Sequence, residues 1–251
     1  MTERYSAQSP DESFPYKYHM KKTIGFFIAI IFLFFAVVSV TGCNYFRKIS
    51  EDIHSRKIAA NFDYGTWTGS TYTNKFFGFS ITVPEDWYIN EKEEVKAYVQ
   101  TAREADYVDK DVMKKMSSVD DITNACLFYV TQYTEEETID KGCSNPAFML
   151  TALNHSGVSQ EMIRAQYLDI FREQCKKAMP STVFHPETTK TIGSVEFTSL
   201  ESEMDNQGIT VYREHLICLK NNFILQFVIA WLEPSEKEQL DKIMSTLTWD
   251  K

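Results

Sequence analysis

Apolar residues fall on alternate positions at Phe77, Phe79, Ile81 and Val83, the period of a strand with one buried face. Pro84 ends the run, because proline has no amide to give to a ladder. Residues 87–89 are expected as a short return strand. After Asn90 the period changes: Val95, Tyr98, Val99 and Ala102 recur at spacings of three and four, which predicts an amphipathic helix over about 91–105. Val112, Met113 and Met116 suggest a further helical piece. Residues 125–133, ACLFYVTQY, are short and rich in strand formers and are expected as a central strand, and 134–146 as a loop.

The second half is more strongly punctuated. Ile163, Tyr167, Ile170, Phe171, Cys175 and Ala178 predict one face of a helix over about 161–178, closed by Pro180. Val195 and Phe197 open a strand, a turn at 205–208 leads to a second over 209–219, and a turn at 220–222 leads to a third over 223–231. This is an antiparallel meander. Its last member, FILQFVIAW, is apolar on both faces and so belongs in the middle of a sheet. Pro234, with Ser235 and Glu238 as a capping box, starts a helix whose Leu240, Ile243, Met244 and Leu247 face the sheet. The fold class expected is α+β, an antiparallel sheet packed between helices, as a single domain over 62–251.

The amino end follows a different pattern. Residues 23–42 are twenty uncharged positions, reaching about 30 Å as a helix and so long enough to cross a bilayer. Lys21 and Lys22 precede them, and Val40-Thr41-Gly42-Cys43 follows. A charged start, an apolar run and small residues make a secretory signal. The last four residues resemble the lipobox of bacterial lipoproteins, with Val40 where Leu is favoured. That resemblance implies that Cys43 receives a diacylglycerol and becomes the mature amino terminus; two acyl chains give a stable anchor where one is marginal. The other reading is an uncleaved signal anchor. Either way the domain lies outside the cytoplasmic membrane. Residues 1–19 are polar and aperiodic and make a long leader, and a start at Met20 would give a compact 23-residue signal. Residues 43–61 read as a tether.

Composition and charge narrow the function. The 251 residues carry a net charge of −9, and the first 42 hold four basic and three acidic side chains, leaving −10 on the 209 that follow. This acidity argues against nucleic acid as a partner. The four cysteines after Cys43 are Cys126, Cys143, Cys175 and Cys218. They permit three full disulfide pairings in an oxidising compartment, or serve as small buried hydrophobes. His54, His155, His185 and His215 show no metal-ligand spacing, and His215 is expected to pack against a sheet. No hydrolase elbow, phosphate loop or dinucleotide fingerprint occurs, so neither catalytic residues nor a cofactor or metal is expected. The alternative is an envelope hydrolase pairing His155 or His185 with a cysteine. Seven of the eighteen residues over 62–79 are aromatic, and Tyr64, Trp67 and Phe76 fall outside the inward set. Exposed together, they would grip an envelope protein, a peptide or a glycan.

The segment Tyr72-Thr73-Asn74, the run Phe77–Pro84 and then Trp87 resemble the opening of the PsbP-like fold. The strand pair, amphipathic helix and closing Leu247-Thr248-Trp249 resemble its carboxyl end. The resemblance implies an α-β-α sandwich with a binding or assembly-assisting role and no catalysis. Similar domains occur in lipoproteins of Gram-positive bacteria. The metal-retention role of the photosystem member finds no ligand set in this sequence.

Overall fold

The structure is a computed structural model, and it describes residues 62–95, 97, 124–154, 167–206 and 208–250. Residues 1–61 lie outside the described part, and with them the uncharged run, Cys43 and His54. So do His155, the helical piece expected near 112–116, and the first six residues of the helix expected from 161.

A small antiparallel sheet is made by β1 (Thr66–Thr68), β2 (Thr71–Asn74), β3 (Phe79–Thr82) and β12 (Thr248–Trp249), in the order β1-β2-β3-β12. Phe77, Phe79, Ile81 and Val83 are all buried, as their alternation requires, although Phe77 stands in the turn before β3. The second sheet has β4 (Tyr88–Ile89), β5 (Asn124–Thr131), β6 (Ala147–Asn154), β7 (Thr182–Phe184), β8 (Thr188–Ile192), β9 (Val195–Asn206), β10 (Ile209–Lys220) and β11 (Phe223–Trp231). Its order is β4-β5-β6-β11-β10-β9-β7, with β8 beside β7 on the same edge of β9. The meander β9-β10-β11 forms as expected, and β11 lies between β10 and β6 with eight of its nine residues buried.

Three helices lie wholly within the described part, α1 (Glu135–Lys141), α2 (Leu168–Ala178) and α3 (Pro234–Ser245); residues 92–95 and 97 are helical too, and the rest of the helix expected over 91–105 lies outside the described residues. One face of the large sheet, carrying Phe148, Leu216, Phe227 and Ile229, packs against the small sheet and against Leu240, Ile243, Met244 and Leu247 of the α3 region. On the opposite face the Phe171 ring of α2 meets His215 of β10, with centroids 4.9 Å apart. The α+β reading holds at this level, as antiparallel sheet with few helices.

Several expectations need correction. Residues 134–146 are not simply a loop. Thr134 caps α1, accepting from the Glu137 amide at 3.1 Å while the Glu137 carboxylate accepts from the Thr134 amide at 3.0 Å, and Gly142 closes the helix at φ 62°. β5 is next to the edge strand rather than central, with β6 beside it. The cap of α3 is Glu233 paired with Glu236, two residues earlier than Ser235 with Glu238, and Pro234 then sits at the first helical position. On α2 the inward set is Tyr167, Leu168, Phe171 and Cys175, whereas Ile170 is exposed. All four cysteines after Cys43 are free thiols.

Candidate functional site

Between the small sheet and the start of the large one lies a cavity of about 580 Å³. Its first wall is Tyr64, Gly65, Thr66, Trp67 and Tyr72, its second runs from Ile89 to Glu93 with Val95, and its third is Cys126 to Tyr129. The volume is in the range of small-molecule sites, roughly 300–1,000 Å³.

Local chemistry fixes each wall. The Gly65 amide donates to Asp63 Oδ1 at 2.9 Å, and Gly65 turns the chain at φ 76°. The Tyr72 hydroxyl donates to the Tyr64 carbonyl and accepts from Asn74 Nδ2 at 3.2 Å. Asn74 also donates to the Asp63 carbonyl at 2.9 Å, and its Oδ1 accepts from the Phe77 amide at 2.9 Å. One buried amide therefore ties residues 63–64 to the turn before β3. The second wall is held by Glu94, whose carboxylate accepts from the Tyr88 hydroxyl and from the Glu91 amide. The bond from Glu94 pushes the Tyr88 phenol up to about 12, since it favours the protonated ring. In the third wall the pairing of β5 with β6 shifts between Cys126 and Phe128, a bulge that inserts Leu127.

Aromatic rings dominate the lining. Trp67, Tyr72 and Phe128 meet pairwise, with centroids 5.3 Å apart for Trp67–Tyr72, 5.6 Å for Trp67–Phe128 and 4.8 Å for Tyr72–Phe128. The Lys92 ammonium stands 4.9 Å from the centre of the Tyr64 ring. Cys126 turns its thiol toward the Phe128 carbonyl at 3.6 Å, and burial pushes that thiol up to about 12.

Of the three aromatics singled out from the sequence, Tyr64 and Trp67 share the cavity wall. Phe76 stands elsewhere, against Phe77 at 4.8 Å and against Phe62 and Phe223 at 5.6 Å each. Phe62 bridges the two places, 5.0 Å from Tyr64. All three are half-buried. Tyr72, Phe128 and Lys92 escaped the sequence reading as site residues. The first two carry the signature of core strands, and only the long-range approach of 64–72 to 126–129 turns them into a wall.

Two further polar groupings are built into the large sheet. On its α2 face, the Tyr167 hydroxyl donates to Gln226 Oε1 at 3.1 Å, and Gln226 Nε2 lies 2.9 Å from His215 Nδ1. Burial, with Arg213 adding to it, holds His215 well below the usual imidazole range. On the other face, Glu214 is buried and takes Ser199 and Lys190 on Oε1 and Lys237 at 3.2 Å on Oε2. Burial alone would raise its carboxyl, but these partners outweigh it and hold it below the usual range. His185 is exposed in the chain between β7 and β8, its amide bonded to the Glu201 carbonyl at 2.9 Å. Among the described residues, no three His, Cys, Asp or Glu side chains come together as a metal site would need.

No protein-family model matches the chain, and no curated protein matches it in sequence. Solved structures include likenesses of arrangement. LpqN of Mycobacterium tuberculosis, involved in cell envelope biogenesis, is 13% identical over 74% of this chain and 87% of its own, with a TM-score of 0.40. The solution structure of cyanobacterial PsbP (CyanoP) from Synechocystis is 9% identical over 74% of this chain and 95% of its own, with a TM-score of 0.42. A Bacteroides thetaiotaomicron protein is 12% identical with a TM-score of 0.41 over 74% of this chain, which spans 50% of that longer protein.

Proposed function

We propose that this chain is a membrane-anchored extracytoplasmic module of PsbP-like type that binds a ligand without transforming it. Its anchor is the uncharged run 23–42, or the lipid that a cleaved signal would leave on Cys43. The observation that carries the binding role is the cavity itself: a space of about 580 Å³ walled by Trp67, Tyr72 and Phe128, with charged groups on one wall only. Aromatic side chains supply much contact area at low entropic cost, as a binding site needs. The Cys126 thiol in the wall, held up to about 12, is protonated at neutral pH and is no nucleophile there. The antiparallel sheets and the closing β3–β12 pair support the PsbP-like reading. Envelope proteins, peptides and glycans are the partner classes, and the net charge disfavours nucleic acid.

The test uses the full chain purified from its own membranes. The mass of the mature amino terminus separates a lipidated Cys43 from an uncleaved anchor. Calorimetric titration with peptide and glycan fragments, followed by analysis of the recovered fragments, is expected to give saturable heats and unchanged compounds. Hydrolysed fragments, with hydrolysis lost in Cys126→Ser, would establish the envelope hydrolase instead.

A further inference from the structure

The geometry points to an organic ammonium as the ligand of the aromatic cavity. This rests on the reading of the cavity as a ligand site and adds the charge of what enters it. Three observations converge. First, one ring of the wall already holds a cation: Lys92 Nζ lies 4.9 Å from the Tyr64 centroid, inside the distance of about 6 Å at which a ring quadrupole attracts positive charge. Second, Lys92 stands between Glu91 and Glu93 in the sequence, all three exposed and all three at the cavity, so the rim carries two carboxylates for one ammonium. An anionic ligand would meet both carboxylates. Third, the chain carries a net charge of −9, which favours the approach of cations.

The internal cation suggests how the ligand seats. Lys92 is an exposed side chain on a flexible stem, and it reaches the ring from the rim. An incoming ammonium takes its position on Tyr64, while the ligand's carbon atoms lie toward Trp67 and Phe128. Lys92 then swings out to Glu91 or Glu93. A quaternary or alkylated ammonium is favoured over a strongly hydrated one, since it loses less solvation on entering an apolar wall.

The experiment uses the full chain in nanodiscs of phosphatidylglycerol and two probes of the same shape, choline and its uncharged carbon analogue 3,3-dimethylbutan-1-ol. Choline is expected to bind at least about ten-fold more tightly than the alcohol. Lys92→Met, which removes the competing internal cation, is expected to tighten choline about three-fold or more, and Tyr64→Leu to weaken it by a similar factor. The thermal midpoint of each variant shows that it is folded. Equal affinity for the two probes overturns the cationic assignment and leaves the cavity as a ligand site, whereas binding of neither overturns both. An unchanged choline affinity in Lys92→Met also overturns the proposal, and that variant changes an exposed residue. In discs with half the lipid replaced by phosphatidylcholine, a right-shifted choline isotherm assigns the ammonium to a lipid headgroup, and an undisturbed one assigns it to a free amine.

Discussion

The Tyr72 hydroxyl stands 2.2 Å from where a Cβ on Gly65 would lie, while donating its proton to the carbonyl of Tyr64, the residue before Gly65. Gly65 also sits at φ 76°, where a side chain strains the backbone whatever the space around it. Gly65→Ala is therefore expected to destabilise the domain by about 2–4 kcal/mol, from left-handed strain and forced displacement of a buried ring together. Urea unfolding measures it. Tyr72→Phe should not restore the loss, because ring atoms Cζ and Cε2 stand 2.3 and 2.7 Å from that Cβ as well and the hydroxyl's bonds to Tyr64 and Asn74 would go with it.

Glu214 is held between Lys190 of β8 and Lys237 of α3, so one buried carboxylate fastens an edge strand and a helix to the middle of the sheet. Glu214→Gln keeps the shape and removes the charge, leaving two ammonium groups facing each other. Lys237 is 18% and Lys190 40% exposed, so water screens part of the cost; a loss of about 2–3 kcal/mol is expected, short of the full penalty for an unpaired buried ion. In a double-mutant cycle, Glu214→Gln with Lys237→Met should cost less than the sum of the two alone.

How far the sequence carries the fold depends on whether the signal is local. The meander β9-β10-β11 and helix α3 are legible because their periods and turns are complete within a few residues. Helix α1 is missed because a run of Glu after a threonine looks like a solvated loop, although Thr134 and Glu137 hold a full capping box at the right spacing. β7 is only three residues long and β8 is rich in Thr and mostly exposed, so neither shows an apolar alternation in the sequence; both pair only with β9 at an edge. The cavity is half legible. Tyr64 and Trp67 stand out because they break the inward pattern, whereas Phe128 obeys its own strand's pattern and reaches the wall through tertiary pairing.

His215 makes stability depend on pH. Its imidazole is depressed in the folded protein by burial and by Arg213, so the unfolded chain binds the proton more readily. The linkage has one sign: the stability is fully present above the unfolded value of about 6.5 and is lost as the pH falls from there toward the folded value. Glu214, also depressed, adds a loss that begins lower, below the unfolded carboxylate value of about 4.3. A plot of unfolding free energy against pH should therefore fall in two stages. His215→Leu should flatten the upper stage alone, although it lowers stability at neutral pH by leaving Gln226 Nε2 without its ring partner.

Asn221 and Asn222 turn β10 into β11 with φ of 51° and 64°, the two positive values that a two-residue hairpin of the twisted kind requires. Their side chains differ in role: Asn221 Nδ2 donates to the Phe76 carbonyl. Asn221→Ala should cost about 1–3 kcal/mol, from left-handed strain plus one lost hydrogen bond. Asn222→Gly should stay within about 0.5 kcal/mol of the parent, since glycine is the preferred second residue of this turn. Chemical denaturation of the two variants side by side distinguishes a turn that needs asparagine from one that needs only a positive φ.

The four cysteines offer a reading of the wall that does not depend on finding the ligand. Cys175 and Cys218 are buried, and burial pushes both thiols up. Cys143 and Cys126 are half-buried, but Cys126 is held up to about 12. At pH 8 its thiolate fraction is lower than that of an ordinary cysteine by a factor of roughly 10³, so alkylation there should lag by a comparable factor. Timed alkylation followed by peptide mass analysis should show Cys143 modified first, Cys126 slowly and faster as the pH rises, and the other two only in denaturant. Alkylation of Cys126 as the fastest site at neutral pH would mean an activated thiolate in the cavity, and it would favour nucleophilic chemistry over passive binding.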